Sequence, residues 1–132
     1  MSGTRISPGR FVAAIAERLN PVLPAGLVVK LSEGHDGVSV DVFAGDGDRR
    51  HVCFVRDEVD WTPIDAAGFL GNVQGGVMEL LAEQWPPRSN HRAAEAHCRL
   101  AGGRLLMRFG NERAPVIALS PLAMEDVMVG PA

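Results

Sequence analysis

The chain writes one plan twice: a helix followed by three short alternating strands. Each half opens on a helix-start signal, Ser7-Pro8 in the first and Thr62-Pro63 in the second. A hydroxyl side chain caps the orphan N–H groups of a first turn, and proline at the first helical position lacks only an N–H that has no partner there anyway. Runs with strand alternation follow, separated by Gly-rich turns: Leu27–Leu31, Val38–Phe43 and His51–Val55, then Ala94–Leu100, Leu105–Phe109 and Val116–Leu119. Period-two alternation between tight turns reads as half-buried strands joined by hairpins. The plan predicts one α+β domain over residues 1–132, with a disordered start over 1–7. Its order is α-β-β-β-α-β-β-β with a short C-terminal helix over Leu122–Val127. The expected sheet is mostly antiparallel, of five or six strands, with the two main helices on one face. The two meanders meet in one sheet within the chain or across a dimer.

The first helix carries Phe11, Ile15 and Leu19 at i, i+4 and i+8, one apolar stripe, and ends where Asn20 precedes Pro21. The second runs from Pro63 to about Gln84, with Thr62 and Asp65 as a capping box in which Asp replaces the usual Glu. Phe69, Val73, Val77, Leu80 and Leu81 form its buried stripe, and Trp85-Pro86-Pro87 ends it. Gly68, Gly71, Gly75 and Gly76 interrupt it, each costing about 1 kcal/mol against alanine. Either they permit close approach to the sheet or to a second helix, or the helix breaks at Gly75-Gly76; close approach is the favoured reading.

At 132 residues, 46% hydrophobic and 22% charged, the chain suits one globular core rather than a disordered state. A net charge of −3 and a pI near 5.8 weigh against non-specific binding to nucleic acid or an anionic membrane. No apolar run approaches the roughly 20 residues that span a bilayer, and the N-terminus lacks the apolar run of a secretory signal. Cys53 and Cys98 are too few for a disulfide framework. A cytoplasmic protein is expected.

The local motifs for chemistry are sparse. His51-x-Cys53 puts two metal-type ligands at i and i+2, a shared face on a regular strand, but two ligands make no zinc site. His97-Cys98 can supply at most one more, because adjacent strand residues point to opposite faces. Small apolar core cysteines are the plainer reading, and neither metal nor cofactor is expected. His35-Asp36 and Asp46-x-Asp48 lie in Gly-bounded turns with no nucleophile motif and no calcium-loop spacing behind them. Charge is more telling. Arg88, Arg92, Arg99, Arg104, Arg108 and Arg113 crowd residues 86–113 against Glu95 and Glu112, while the span 33–65 is acid-rich. His97 and Arg99 share a strand face, and Arg104 and Arg108 share one on the next strand. They are candidates for an anion or acidic partner, set against a solvated sheet face of little individual worth. RNA recognition on a sheet wants stacking aromatics, and Trp61 and Trp85 fall outside the strands. The tail, with Leu122, Met124, Val127, Met128 and Val129, packs back on the domain or offers a surface to a partner.

Two resemblances follow from these residues. The run from Phe69 through Gln74 and Gly75 to Trp85-Pro86 resembles a helix of small uncharacterised actinobacterial proteins, in which a Gln-Asp pair sits mid-helix and Trp-Pro closes it. Here Gly75 takes the place of the Asp, and the family carries no assigned activity. The element order is also similar to the type III secretion chaperone-like fold, an arrangement the YbjN family is thought to share. That resemblance implies a small, acidic, usually dimeric binding protein without catalysis. The expected function is thus a non-enzymatic protein-binding or chaperone-like module, acting as a homodimer on an unspecified protein partner. Gly71, Gly75, Met124, Val127 and Met128 are its candidate interface. The rival is a small-ligand or anion-binding protein, or an enzyme, using His97, Arg99, Arg104 and Arg108.

Overall fold

A computed structural model of the chain describes residues 5–57, 61, 62, 64–87 and 92–129. Pro63 and Arg88, which figure in the sequence reading, lie outside the described residues, as does most of the N-terminal start. In chain order the elements are β1 (Arg5–Ile6), α1 (Pro8–Leu19), β2 (Leu27–Glu33), β3 (Gly37–Ala44), β4 (Arg49–Arg56), α2 (Asp65–Leu81), β5 (Ala96–Ala101), β6 (Arg104–Gly110), β7 (Pro115–Ala118), β8 (Leu122–Ala123) and β9 (Met128–Val129). Single 3₁₀ turns cover Asn20–Val22 and Met124–Asp126.

The α+β class, the antiparallel pairing and the twice-written meander all stand. The strands differ in that they divide between two sheets. β2-β3-β4 form one; β5-β6-β7, with β8 also paired to β6, form the other; β1 and β9 make a separate pair joining the chain ends. In place of one sheet of five or six strands, the two meanders form separate sheets, and α2 touches β3 and β4 of the first and β5 of the second. The expected C-terminal helix is only the 3₁₀ turn, held between β8 and β9.

Local chemistry sets the boundaries. Ser7 caps α1, its hydroxyl accepting from the Arg10 N–H at 3.5 Å. Asn20 closes that helix and pins β2, donating to the Val29 carbonyl at 3.2 Å and accepting from the Val29 N–H at 2.8 Å. Asp65 accepts from the Thr62 N–H at 2.7 Å and its hydroxyl at 3.2 Å, the reach-back half of the expected box. α2 starts two residues later than Pro63 and ends at Leu81, where Ala82 turns left-handed at φ 57° and its N–H bonds the Met78 carbonyl. The helix does not break at Gly75-Gly76.

Phe11, Val12, Ile15 and Leu19 of α1 meet Val29, Val38, Val40, Val42 and Val55 of the first sheet in one buried cluster. Phe69, Leu70, Val73 and Val77 of α2 join it to Leu105, Met107 and Phe109 of the second. Each tryptophan meets an aromatic edge: Trp61 on Phe11 at 5.6 Å, Trp85 on Phe109 at 5.3 Å between centroids. The tail packs in cis. Leu122, Met124 and Val127 are buried, the Ser7 N–H bonds the Val127 carbonyl at 2.8 Å, and Arg18 Nε donates to the Ser120 and Pro121 carbonyls at 3.1 and 3.2 Å. Among the described residues no helix is long and apolar enough to cross a membrane.

Candidate functional site

Two surfaces carry the candidate residues, the outer face of the second sheet and the open side of α2. On the sheet, register decides the faces. β5 and β6 pair His97 with Arg108, Arg99 with Leu106 and Ala101 with Arg104. The alternate pairs, Cys98 with Met107 and Leu100 with Leu105, take the opposite face, where Met107 and Leu105 are buried and Leu100 stays exposed at the edge. His97, Arg99, Arg104 and Arg108 therefore share one outward face, opposite residues in an antiparallel pair lying on the same side. Their partners are few. Arg99 Nε lies 3.1 Å from Glu112 Oε1, His97 Nε2 lies 3.8 Å from Glu95 Oε2, and Arg108 Nε donates to the Gly110 carbonyl at 3.1 Å. Among the described residues no carboxylate forms an ion pair with Arg104 or Arg108.

A groove of about 290 Å³ opens on this face. Arg99, Arg108 and Glu112 stand at it with Leu106, Ala118 and Pro121, where β7 has ended and β8 has not begun. His97 sits opposite Arg108 in register, outside the groove lining, and Arg104 lies at the far end beside Ala123. The structure thus brings Arg99 and Arg108 together in a concavity and leaves the other two on the flat of the sheet. Leu106, and the pairing of Glu112 with Arg99, are what sequence reasoning passed over. Glu112 belongs to the loop between β6 and β7, which no strand periodicity places against Arg99.

The second surface is α2. Ile64, Gly68, Gly71, Gly75 and Met78 follow one another at steps of four, three, four and three, so they line one side of the helix. Among the described residues, a Cβ added at Gly68, Gly71 or Gly75 meets nothing within 4 Å, whereas at Gly76 it meets Val42 Cγ2 and Val52 Cγ2 at 3.4 Å. Of the four, only Gly76 lies against the sheet, at ordinary contact distance. Ile64 heads the stripe at 75% exposure, and beside it Leu100 is 52% exposed. The two border a second groove of about 320 Å³ with Thr62, Cys98 and Leu105. Of the residues named from sequence for an interface, Gly71 and Gly75 lie on this open side, Met128 is half-buried, and Met124 and Val127 are enclosed by the chain's own core.

No family model, curated protein or solved structure matches this chain.

The His51-x-Cys53 pair does not share a face. A β-bulge between Val40 and Asp41 shifts the register, so Cys53 opposes inward Val40 while His51 opposes Asp41. His51 Nδ1 lies 2.9 Å from Asp41 Oδ1 and 3.5 Å from Ser39 Oγ. Both partners use the same ring nitrogen, so the three do not form a relay in which one nitrogen faces a nucleophile and the other a carboxylate. Cys53 instead faces α2, beside Asp65, Gly68 and Asn72. Among the described residues no three His, Cys, Asp or Glu side chains converge as a metal site.

Neither cysteine is in a disulfide. Burial pushes the Cys53 thiol up, and the Asp41 carboxylate adds to it. Burial also pushes the Cys98 thiol up, against smaller lowering influences from the Ala67 backbone and Arg108 and a raising one from Asp65. The thiolate is the reactive form, so both residues should alkylate slowly at neutral pH. Iodoacetamide labelling read by mass spectrometry is expected to run at least about tenfold slower at each in the folded protein than in denaturant. Equal rates would contradict the burial argument.

Proposed function

We propose that the protein is a non-enzymatic protein-binding module, chaperone-like in size and acidity, that works as a homodimer joined through the open side of α2. The observation that carries this reading is the glycine stripe headed by Ile64. Glycines in a helix interior cost about 1 kcal/mol each against alanine, and among the described residues Gly68, Gly71 and Gly75 have no neighbour that requires them. A second helix supplies such a neighbour. Small residues at heptad-like steps let two helix backbones approach closely, and exposed Ile64 and Leu100 gain a dry contact at the edge. The likeness in element order to the secretion-chaperone arrangement agrees with this, as a resemblance of order alone. Cytoplasmic placement belongs to the same reading and accords with two cysteines outside any disulfide.

Light scattering on the untagged chain tests the reading. A dimer is expected at tens of micromolar, and Leu100→Asp is expected to yield monomer with unchanged circular dichroism, since that side chain is half-exposed. A strictly monomeric wild-type chain would sink the proposal. The glycines give an independent sign. Gly71→Ala should raise the stability of dilute, monomeric protein by up to about 1 kcal/mol, while weakening self-association, because the added methyl group occupies the seam. Chemical denaturation at two protein concentrations separates the two effects.

A further inference from the structure

The groove on the outer face of the second sheet has its own chemistry, and it does not depend on self-association. Its floor is apolar, formed by Leu106, Ala118 and Pro121. Two guanidinium groups, Arg99 and Arg108, stand at it against one carboxylate, Glu112. That carboxylate reaches Arg99 at 3.1 Å from the loop between β6 and β7, with both side chains more than half exposed. Arg108 is tethered by its Nε to the Gly110 carbonyl at 3.1 Å, which fixes the guanidinium without neutralising it. Arg99 opposes Leu106 and Arg108 is two residues further along β6, so the two arginines are diagonal neighbours on one face, about 7–8 Å apart by sheet geometry.

We propose that this groove is a binding site for a small apolar anion: a carboxylate or sulfonate on a hydrocarbon or aryl body. The charge surplus selects an anion, since a guanidinium presents a planar fork of donors that matches a carboxylate and is most effective beside low-dielectric surface. The Leu106–Ala118–Pro121 floor selects an apolar body, since a fully hydrated inorganic anion gains nothing from covering it. A volume near 290 Å³ suits a ligand at the small end of the usual pocket range. Glu112 is the internal occupant. Its carboxylate holds the position on Arg99 that the ligand head group takes, and its exposed loop is free of the strand ladder, so it yields without disturbing the sheet. The arrangement keeps Arg99 oriented when the groove holds no ligand and sets a threshold on affinity.

Anilinonaphthalene sulfonate, an apolar anion that fluoresces in dry surroundings, is the direct probe, with octanoate, octanol and inorganic phosphate as competitors. Octanoate is expected to displace the dye, and octanol and phosphate are not. Arg108→Gln should weaken dye and octanoate binding by about tenfold or more, the worth of one charge-assisted contact. Glu112→Gln should tighten both about threefold or more by releasing Arg99. These two variants act in opposite directions, so a general loss of folding cannot imitate the pair. Leu100→Asp, in the other groove, should leave affinity unchanged. The proposal is overturned by no dye binding, by displacement with octanol or phosphate as readily as with octanoate, or by dye binding that Leu100→Asp abolishes and Arg108→Gln does not. Weaker binding in Glu112→Gln overturns the role given to that carboxylate.

Discussion

Replacing Gln74 with leucine is expected to cost about 2–4 kcal/mol of folding stability. Gln74 is the one buried polar side chain among the described residues, 7% exposed in the middle of α2. Its amide nitrogen donates to the Trp85 carbonyl at 3.0 Å and to the Ala94 carbonyl at 2.6 Å. One side chain thus ties the helix to the Trp85-Pro86 stop and to the start of the second meander. Leucine fills the space but leaves two buried acceptors without donors, each costing about 1–3 kcal/mol. Gln74→Glu is the sharper control, because it preserves shape and removes both donors. It should be worse than leucine at neutral pH, where a carboxylate would face two carbonyl oxygens. Those carbonyls and burial raise the folded-state pKa of such a glutamate, so its penalty applies above the unfolded pKa and shrinks as pH falls and the carboxyl protonates. Urea denaturation across pH reads both effects. Equal stability of all three proteins at neutral pH would remove Gln74 from the account of how α2 is anchored.

Gly37→Ala should cost about 2–3 kcal/mol, the upper part of the range for overpacking. A Cβ there would collide with the Val55 carbonyl oxygen and stand 2.8 and 2.9 Å from the Phe54 ring. The ring can turn away, but the carbonyl belongs to β4, whose pairing with β3 is fixed by register. Phe54→Ala combined with Gly37→Ala relieves only the ring contact, so most of the loss should persist in the double variant. Recovery to wild-type stability would show that the ring alone sets the limit.

Much of this fold is legible in the chain because it is local. Hairpins follow from alternation and turn residues, so β2 to β7 fall within a few residues of the predicted runs. Ser7 and the Thr62–Asp65 pair mark helix starts through contacts three residues apart. What the sequence hides is non-local. The division into two sheets lies in which strands pair beyond each meander, and the tail is held in cis by Arg18, more than a hundred residues from the carbonyls it binds. The bulge that parts His51 from Cys53 leaves no mark on the alternation of β4, because Val52 and Cys53 both pass as ordinary strand residues. The arginine face is legible as alternation within each strand, odd positions on β5 and even positions on β6, which the hairpin register brings to one side. The groove beside it is not, since it depends on the path of the Glu112 loop. The glycines show the converse. Their cost is plain in the sequence, but only the structure separates Gly76, packed on Val42 and Val52, from Gly68, Gly71 and Gly75, which face outward.

The claim that two copies meet along that outward side is tested most directly by where they can be joined. In a chain carrying Cys53→Ala and Cys98→Ala, a single new thiol is placed by Gly71→Cys on the open side of α2, or by Asp46→Cys in the exposed β3–β4 turn. Mild copper oxidation followed by non-reducing electrophoresis should give covalent dimer from the first variant and little from the second. No covalent dimer at position 71, or equal yields at both positions, would contradict a dimer built on the glycine face.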